Sequence, residues 1–284
     1  MINHVARLLI TASIVNKHRG VPTLERHLEG PLIEHPVHGY LQEALRKPGV
    51  FVHWGVYGSG KTVSMHEVSR RLQEEEKRTV VMLNGYRIVR HGNPTRHLRS
   101  AIGIPPDFKD PISTFFQRSK LTILIDDFSP VMSVDGVYDL LHELARDSTT
   151  NGGYNVLLCV TAFEWAVDLL TLRWEDCACP IRLAGFPGCG RWSEAQLREL
   201  VCSTPEKVEA VITSSVRSGV PPFDSRARDV GEARTLDLEW QKGVQALSKL
   251  PKESFTMAKG VNIDHATNLG PALYPDKTGM FTLM

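Results

Sequence analysis

Residues 49–62 read GVFVHWGVYGSGKT, an apolar run from Gly49 to Trp54 that passes without interruption into Gly55-Val56-Tyr57-Gly58-Ser59-Gly60-Lys61-Thr62. The first half is short, apolar and rich in β-branched residues, which is how a buried parallel strand reads. The second half matches G-x-x-x-x-G-K-[ST] at every fixed position. Behind it, Val63, Met65, Val68 and Leu72 form an apolar stripe, and the outer face ends in Glu74, Glu75 and Glu76. That spacing predicts a helix over Thr62 to Lys77. Strand, glycine turn and helix are therefore contiguous.

The residue types in the turn dictate its chemistry. Glycines allow backbone angles that side chains forbid, and they let amide groups approach an anion closely. Those amides, with the positive end of the following helix, make a cradle for phosphate oxygens. Gly55, Val56, Tyr57, Gly58, Ser59, Gly60, Lys61, Thr62 and Val63 are the candidate cradle. Lys61 is expected to reach the β and γ phosphates, and the Thr62 hydroxyl to ligate Mg2+. The expected ligand is a nucleoside triphosphate, ATP with Mg2+.

Working outward, Thr79 to Leu83, Leu121 to Ile125, Asn155 to Val160 and Ile181 to Leu183 are further strand-like runs with helical patterns between them, Val137 to Ala145 being the clearest helix. Alternation of strands and helices predicts an α/β fold: a mostly parallel five-stranded sheet covered on both faces, because parallel neighbours need crossover connections. The third run ends in Asp126-Asp127-Phe128. An apolar strand closing on an acid delivers its carboxylate to the carboxyl edge of the sheet, where ligands bind in open α/β folds. Asp126 is the candidate magnesium carboxylate, and Asp127 is placed to orient or deprotonate the attacking water.

With these two motifs the chain resembles the P-loop ATPases in which an extra strand lies between the phosphate-loop strand and the acid-bearing strand, and more narrowly the AAA+ and STAND-like ATPases. The resemblance covers about residues 30 to 218 and implies ATP hydrolysis coupled to a conformational or oligomeric change. In those families the acid beside the magnesium aspartate acts as base; here Asp127 stands where glutamate is more usual. The resemblance makes Thr161, which closes the fourth run, a catalytic sensor alongside Lys61 and Asp127. It also implies a small helical lid. Ile181-Arg182-Leu183, Phe186 and the stretch from Ser193 are similar to its leading strand and first helix, and Ser193 with Gln196 has capping-box spacing. His35 and His38 fall where such proteins hold the nucleotide base, and Arg173, Arg182 and Arg191 fall where they keep arginine fingers that act between subunits of a homo-oligomer.

The expected division is an N-terminal helical segment at 1–30, a nucleotide-binding domain at 31–187, a helical lid at 188–218 and a C-terminal extension at 219–284. The extension is expected to be partly irregular, apart from a helical stretch near Ala233 to Leu250.

Composition narrows the alternatives. The chain of 284 residues is 42% hydrophobic and 23% charged with a formal net charge of +1, so a global polyanion-binding charge is absent. No apolar run reaches the length of a membrane span. Five cysteines, an odd number, without a secretory signal point to reduced thiols in an intracellular compartment, cytoplasmic or nuclear. The acid-free first 24 residues, with Arg7, Lys17 and Arg19, also admit an organelle transit peptide, an ordinary helix being the plainer reading. Cys177, Cys179 and Cys189 lack the paired spacing of a zinc site. Guanine recognition is disfavoured because the only Asn-Lys, Asn16-Lys17, lies upstream of the loop. A small-molecule kinase would need an arginine-rich lid and an acceptor pocket that the sequence does not display. The basic cluster Arg87, Arg90, Arg96 and Arg99 supports a nucleic-acid-dependent ATPase as the second reading. A slow-hydrolysing nucleotide switch is the non-enzymatic one.

Overall fold

The apolar runs become five parallel strands, and the three at 49–54, 121–126 and 155–160 are buried from end to end. The computed structural model describes residues 36–55, 60–90, 92–116, 120–150, 153–172, 181–185, 242–243, 245–247, 249–250, 273–275 and 281–283. In chain order these hold α1 (Pro36–Ala44), β1 (Gly49–Trp54), α2 (Lys61–Glu74), β2 (Thr79–Asn84), α3 (Gly85–Arg90), α4 (Pro94–Ala101), α5 (Ile112–Phe115), β3 (Leu121–Asp126), a 3-10 turn (Ser129–Ser133), α6 (Val137–Asp147), β4 (Asn155–Val160), α7 (Phe163–Thr171), β5 (Arg182–Gly185), β6 (Leu273–Pro275) and β7 (Phe281–Leu283). The main sheet has the order β2-β3-β4-β1-β5. Every pairing in it is parallel.

Alternate residues of each strand serve opposite layers, as a period of two requires. Val50, Val52, Trp54, Ile123, Ile125, Val156, Leu158 and Val160 belong to one buried cluster with Ile88, Leu98, Leu140, Leu144 and Leu169 of the helices from α3 to α7. Phe51, Leu124, Leu157 and Cys159 belong to the other, with Val37 and Leu41 of α1 and Met65, Val68 and Leu72 of α2. The result is a three-layer α/β/α sandwich. As the resemblance implies, β4 lies between the strand that feeds the glycine turn and the strand that carries the acids.

Several boundaries differ from the sequence reading. The strand expected at Ile181 to Leu183 runs over Arg182–Gly185, and the helix after the glycine turn ends at Glu74. The basic cluster is not a loop. Arg87 and Arg90 lie on α3, and Arg96 and Arg99 on α4. Helix α4 starts there because Asn93 caps it, its Oδ1 accepting from the Arg96 N–H at 2.8 Å, with Pro94 in the first turn. Near the end of the chain, Leu273–Pro275 pairs antiparallel with Phe281–Leu283 where irregular chain was expected; each is only three residues long, too short to display alternation. Near residue 250 the described residues join the body of the protein, with Leu247 and Leu250 buried in the cluster that contains Trp54. The N-terminal segment 1–30, the lid 188–218 with Ser193, and Cys177, Cys179 and Cys189 lie outside the described residues. No helix among the described residues is long and apolar enough to cross a membrane.

Arg99 illustrates what the helical setting does to the basic cluster. Its guanidinium donates to Glu143 Oε1 on α6 and to the carbonyls of Phe108 and Asp110, each at 2.8 Å. It is spent on pinning a loop. Arg99→Ala is therefore expected to lower the unfolding free energy by about 1–3 kcal/mol, because two carbonyls and a carboxylate lose their donor. Arg96→Ala, on an exposed side chain, should stay within about 0.5 kcal/mol. Urea denaturation of the two variants checks the contrast.

Candidate functional site

Polar residues close the apolar strands at one edge of the sheet. Asn84 ends β2, Asp126 ends β3, and Asn84 and Asp126 are register partners. Thr161 follows β4, and Gly55 follows β1, its N–H donating to the Val160 carbonyl at 3.2 Å. Into this edge comes the start of α2. Its cap, Gly60, has φ 80 and ψ 14, a left-handed conformation that glycine adopts without steric cost.

The two motifs meet in one hydrogen bond. Thr62 Oγ1 donates to Asp126 Oδ2 at 2.7 Å across 64 residues of chain. Asp126 is only 6% exposed, and its other oxygen, Oδ1, is buried without a hydrogen-bond partner. Leaving a carboxylate oxygen so placed costs free energy unless something charged or protic meets it. A hard divalent cation that takes oxygen ligands fits that oxygen beside a threonine hydroxyl. Among the described residues there is no cluster of three or more metal-ligating side chains. Such an ion would therefore depend on Thr62, Asp126 and oxygens brought by its substrate, the usual manner for magnesium.

Lys61 lies 7% exposed at the first position of α2. Burial depresses its pKa, opposed by the fields of Cys159, Asp126 and Asp127. Burial also pushes the Cys159 thiol well up. Asp127 responds the other way from Lys61. Burial first and the Asp126 charge second raise its pKa, against the pull of Lys61 and a hydrogen bond from Asn84. Its backbone is left-handed, φ 49, which a non-glycine residue adopts at a cost. Gly85 makes room for that turn: a Cβ there would come closer than 3.0 Å to the Asp127 carbonyl carbon and oxygen.

The structure thus brings together Gly55, Gly60, Lys61, Thr62, Asp126, Asp127 and Thr161, with Val63 half-buried behind them. Val56, Tyr57, Gly58 and Ser59 lie outside the described residues, as do His35, Arg173 and Arg191. His38 is buried at 2% exposure in α1. Arg182 is in register with Phe51, below the carboxyl edge of its own sheet. Three contributors escaped the sequence reading. Asn84 holds Asp127. Ser129 accepts the Thr161 N–H on its Oγ at 3.0 Å. Trp54 donates its indole N–H to the Thr161 carbonyl at 3.1 Å. Asn84 carries the same signal as Asp126, a polar residue closing an apolar strand.

No protein-family model matches the chain, and no curated protein matches it in sequence. Among solved structures, the chain is similar to one in the E. coli MS115-1 HORMA:CdnC:Trip13 complex, at 13% identity and a TM-score of 0.36, covering 87% of each chain. It is also similar to one in Drosophila ORC bound to DNA, at 15% identity and a TM-score of 0.37, covering 81% of this chain and 57% of that one. A third likeness is to C. elegans PCH-2, at 14% identity and a TM-score of 0.30, covering 90% of this chain and 65% of that one. The chain spans less than two thirds of the latter two. Overlaps this slight add nothing to what the strand order and the site geometry already establish.

Proposed function

We propose that the chain binds ATP with Mg2+ at this edge and hydrolyses it, as an AAA+/STAND-like ATPase does. The observation that carries the reading is the Thr62–Asp126 hydrogen bond with the orphaned Asp126 Oδ1 beside it, next to a buried ammonium. Residues 55–63 would wrap the triphosphate with main-chain N–H groups, and Lys61 would neutralise the β and γ phosphates. Mg2+, held through Thr62 and Asp126, would supply charge stabilisation at the phosphate being transferred. Asp127 takes a proton from the attacking water, a role that its raised pKa suits, since a base works best when its pKa approaches the working pH. Thr161 would contact the γ phosphate or the water. We place the nucleotide-binding unit at 31–187, with 188–218 as a lid closing over it and assembly into a homo-oligomer as the setting for an arginine finger.

The test is release of inorganic phosphate from ATP by the full chain with and without magnesium. Magnesium-dependent turnover is expected. Tight Mg-ATP binding with no turnover would turn the enzyme reading into the switch reading.

One observation favours a nucleic-acid-dependent ATPase as a second reading. Tyr86 is 56% exposed at the start of α3, beside an exposed Arg87 and near the carboxyl edge. A ring and a guanidinium so placed can stack on a base and meet a phosphate. Single-stranded DNA should then stimulate hydrolysis severalfold at low salt, and Tyr86→Ala should abolish the stimulation; a rate indifferent to DNA or RNA at every salt concentration would remove this reading.

A further inference from the structure

The backbone around Thr161 is gripped from both neighbouring strands. On the β3 side, Ser129 accepts the Thr161 N–H. On the β1 side, Gly55 N–H takes the Val160 carbonyl and the Trp54 indole N–H takes the Thr161 carbonyl. Trp54 is fully buried, at 0% exposure, and the edge of its six-membered ring next to the N–H is covered by a part of the chain remote in sequence. A Cβ on Gly243 would come closer than 3.0 Å to both Cζ2 and Cη2 of that ring, and would meet Phe163 Cβ at 3.0 Å. Leu247 and Leu250, 3% and 9% exposed, belong to the same buried cluster as Trp54. One edge of a rigid indole therefore rests under Gly243, and the N–H beside that edge holds the peptide carbonyl of a candidate site residue.

We propose that Trp54 is a positioning residue through which the segment 242–250 sets the backbone at Thr161 and hence the hydrolytic rate, the C-terminal part of the chain acting on the site in cis. This rests on the reading of Thr161 as a residue that meets the γ phosphate or the water. The physical basis is the closeness of the packing. A fully buried ring with Gly243 against its Cζ2 and Cη2 cannot tilt without displacing its N–H from the Thr161 carbonyl, and close-packed interiors transmit small shifts. Undocking of 242–250 gives the ring room to move. Because the indole contact runs to the Thr161 backbone, the effect falls on turnover and leaves the affinity for Mg-ATP nearly unchanged.

The experiment uses the full chain and the variants Trp54→Phe, which keeps a smaller aromatic ring and removes the N–H, Gly243→Ala, which crowds the ring, and both together. Expected are falls in kcat of about tenfold for each single variant, the worth of one hydrogen bond at the reacting edge, with the ATP Kd in magnesium within about twofold of wild type. The double variant should be no slower than the worse single one, since both act through the same contact. In 15N-labelled protein the indole N–H resonance absent from Trp54→Phe should shift in Gly243→Ala without nucleotide, and should shift in the wild type when a non-hydrolysable Mg-ATP analogue is added. Full kcat in Trp54→Phe, additive losses in the double variant, or an indole resonance indifferent to Gly243→Ala would each overturn the proposal while leaving the ATPase reading intact. A wild-type chain that binds no Mg-ATP would overturn both.

Discussion

Lys61→Ala is expected to lower kcat/KM for ATP by about a thousandfold or more, on the scale of losing a cation that stabilises a transferring phosphoryl group. The site without Lys61 presents Asp126 and Asp127 to an incoming triphosphate, and the field of the Lys61 ammonium reaches both carboxylates. Repulsion between like charges in a half-buried pocket then opposes binding as well as turnover. Asp126→Ala should produce a loss of similar size by a different route. It removes the partner of the Thr62 hydroxyl and the oxygen offered to magnesium, so added magnesium should no longer improve nucleotide affinity. Steady-state phosphate release, with binding measured by calorimetry, separates the two routes. Full activity in both variants would mean that the chemistry occurs elsewhere.

Asp127→Asn is the second large effect. Turnover should fall by about a hundredfold to ten-thousandfold, the range for loss of a positioned general base, while Mg-ATP binding persists. The pH dependence carries a definite sign. Asp127 acts as base only when ionised, and burial together with the Asp126 charge raises its pKa. The acid limb of kcat/KM should thus fall at a pH above the ordinary aspartate value of 3.8, and Asp127→Asn should lack that limb. Stability moves oppositely. A carboxyl whose folded-state pKa lies above its unfolded value stabilises the fold below the unfolded value, and that contribution is lost as pH rises through the folded value. Nucleotide-free Asp127→Asn should accordingly be at least as stable as the wild type at neutral pH, although it is far less active. A variant that is both inactive and strongly destabilised would assign Asp127 a structural role.

The strands and the pairing of the two motifs were legible because their causes are local. Gly49–Trp54 and Asn155–Val160 are buried from end to end and mostly apolar, since parallel strands bury both faces. The fixed residues of the glycine turn and the acid that ends β3 announce Thr62 and Asp126 in the sequence itself. What stayed hidden depends on tertiary contact. Arg87, Arg90, Arg96 and Arg99 look like a solvated loop because Gly85, Gly92 and Pro94 interrupt them, yet Asn93 caps a helix there and Arg99 turns inward to Glu143. Trp54 reads as the last apolar residue of a strand, and its bond to Thr161 spans 107 positions. Gly243 sits in an uninformative stretch, and its lack of a side chain gains meaning only when the indole beneath it is seen. Sequence patterns report which face a residue turns inward; they do not report which distant residue it meets there.

The most direct measurement is the equilibrium affinity of the full-length chain for ATP with and without magnesium, with Thr62→Ala in parallel. Saturable binding that strengthens with magnesium in the wild type, and loses that magnesium dependence when the Thr62 hydroxyl is removed, is the predicted result. Folded protein that binds neither ATP nor any other nucleoside triphosphate in the presence of magnesium would contradict it.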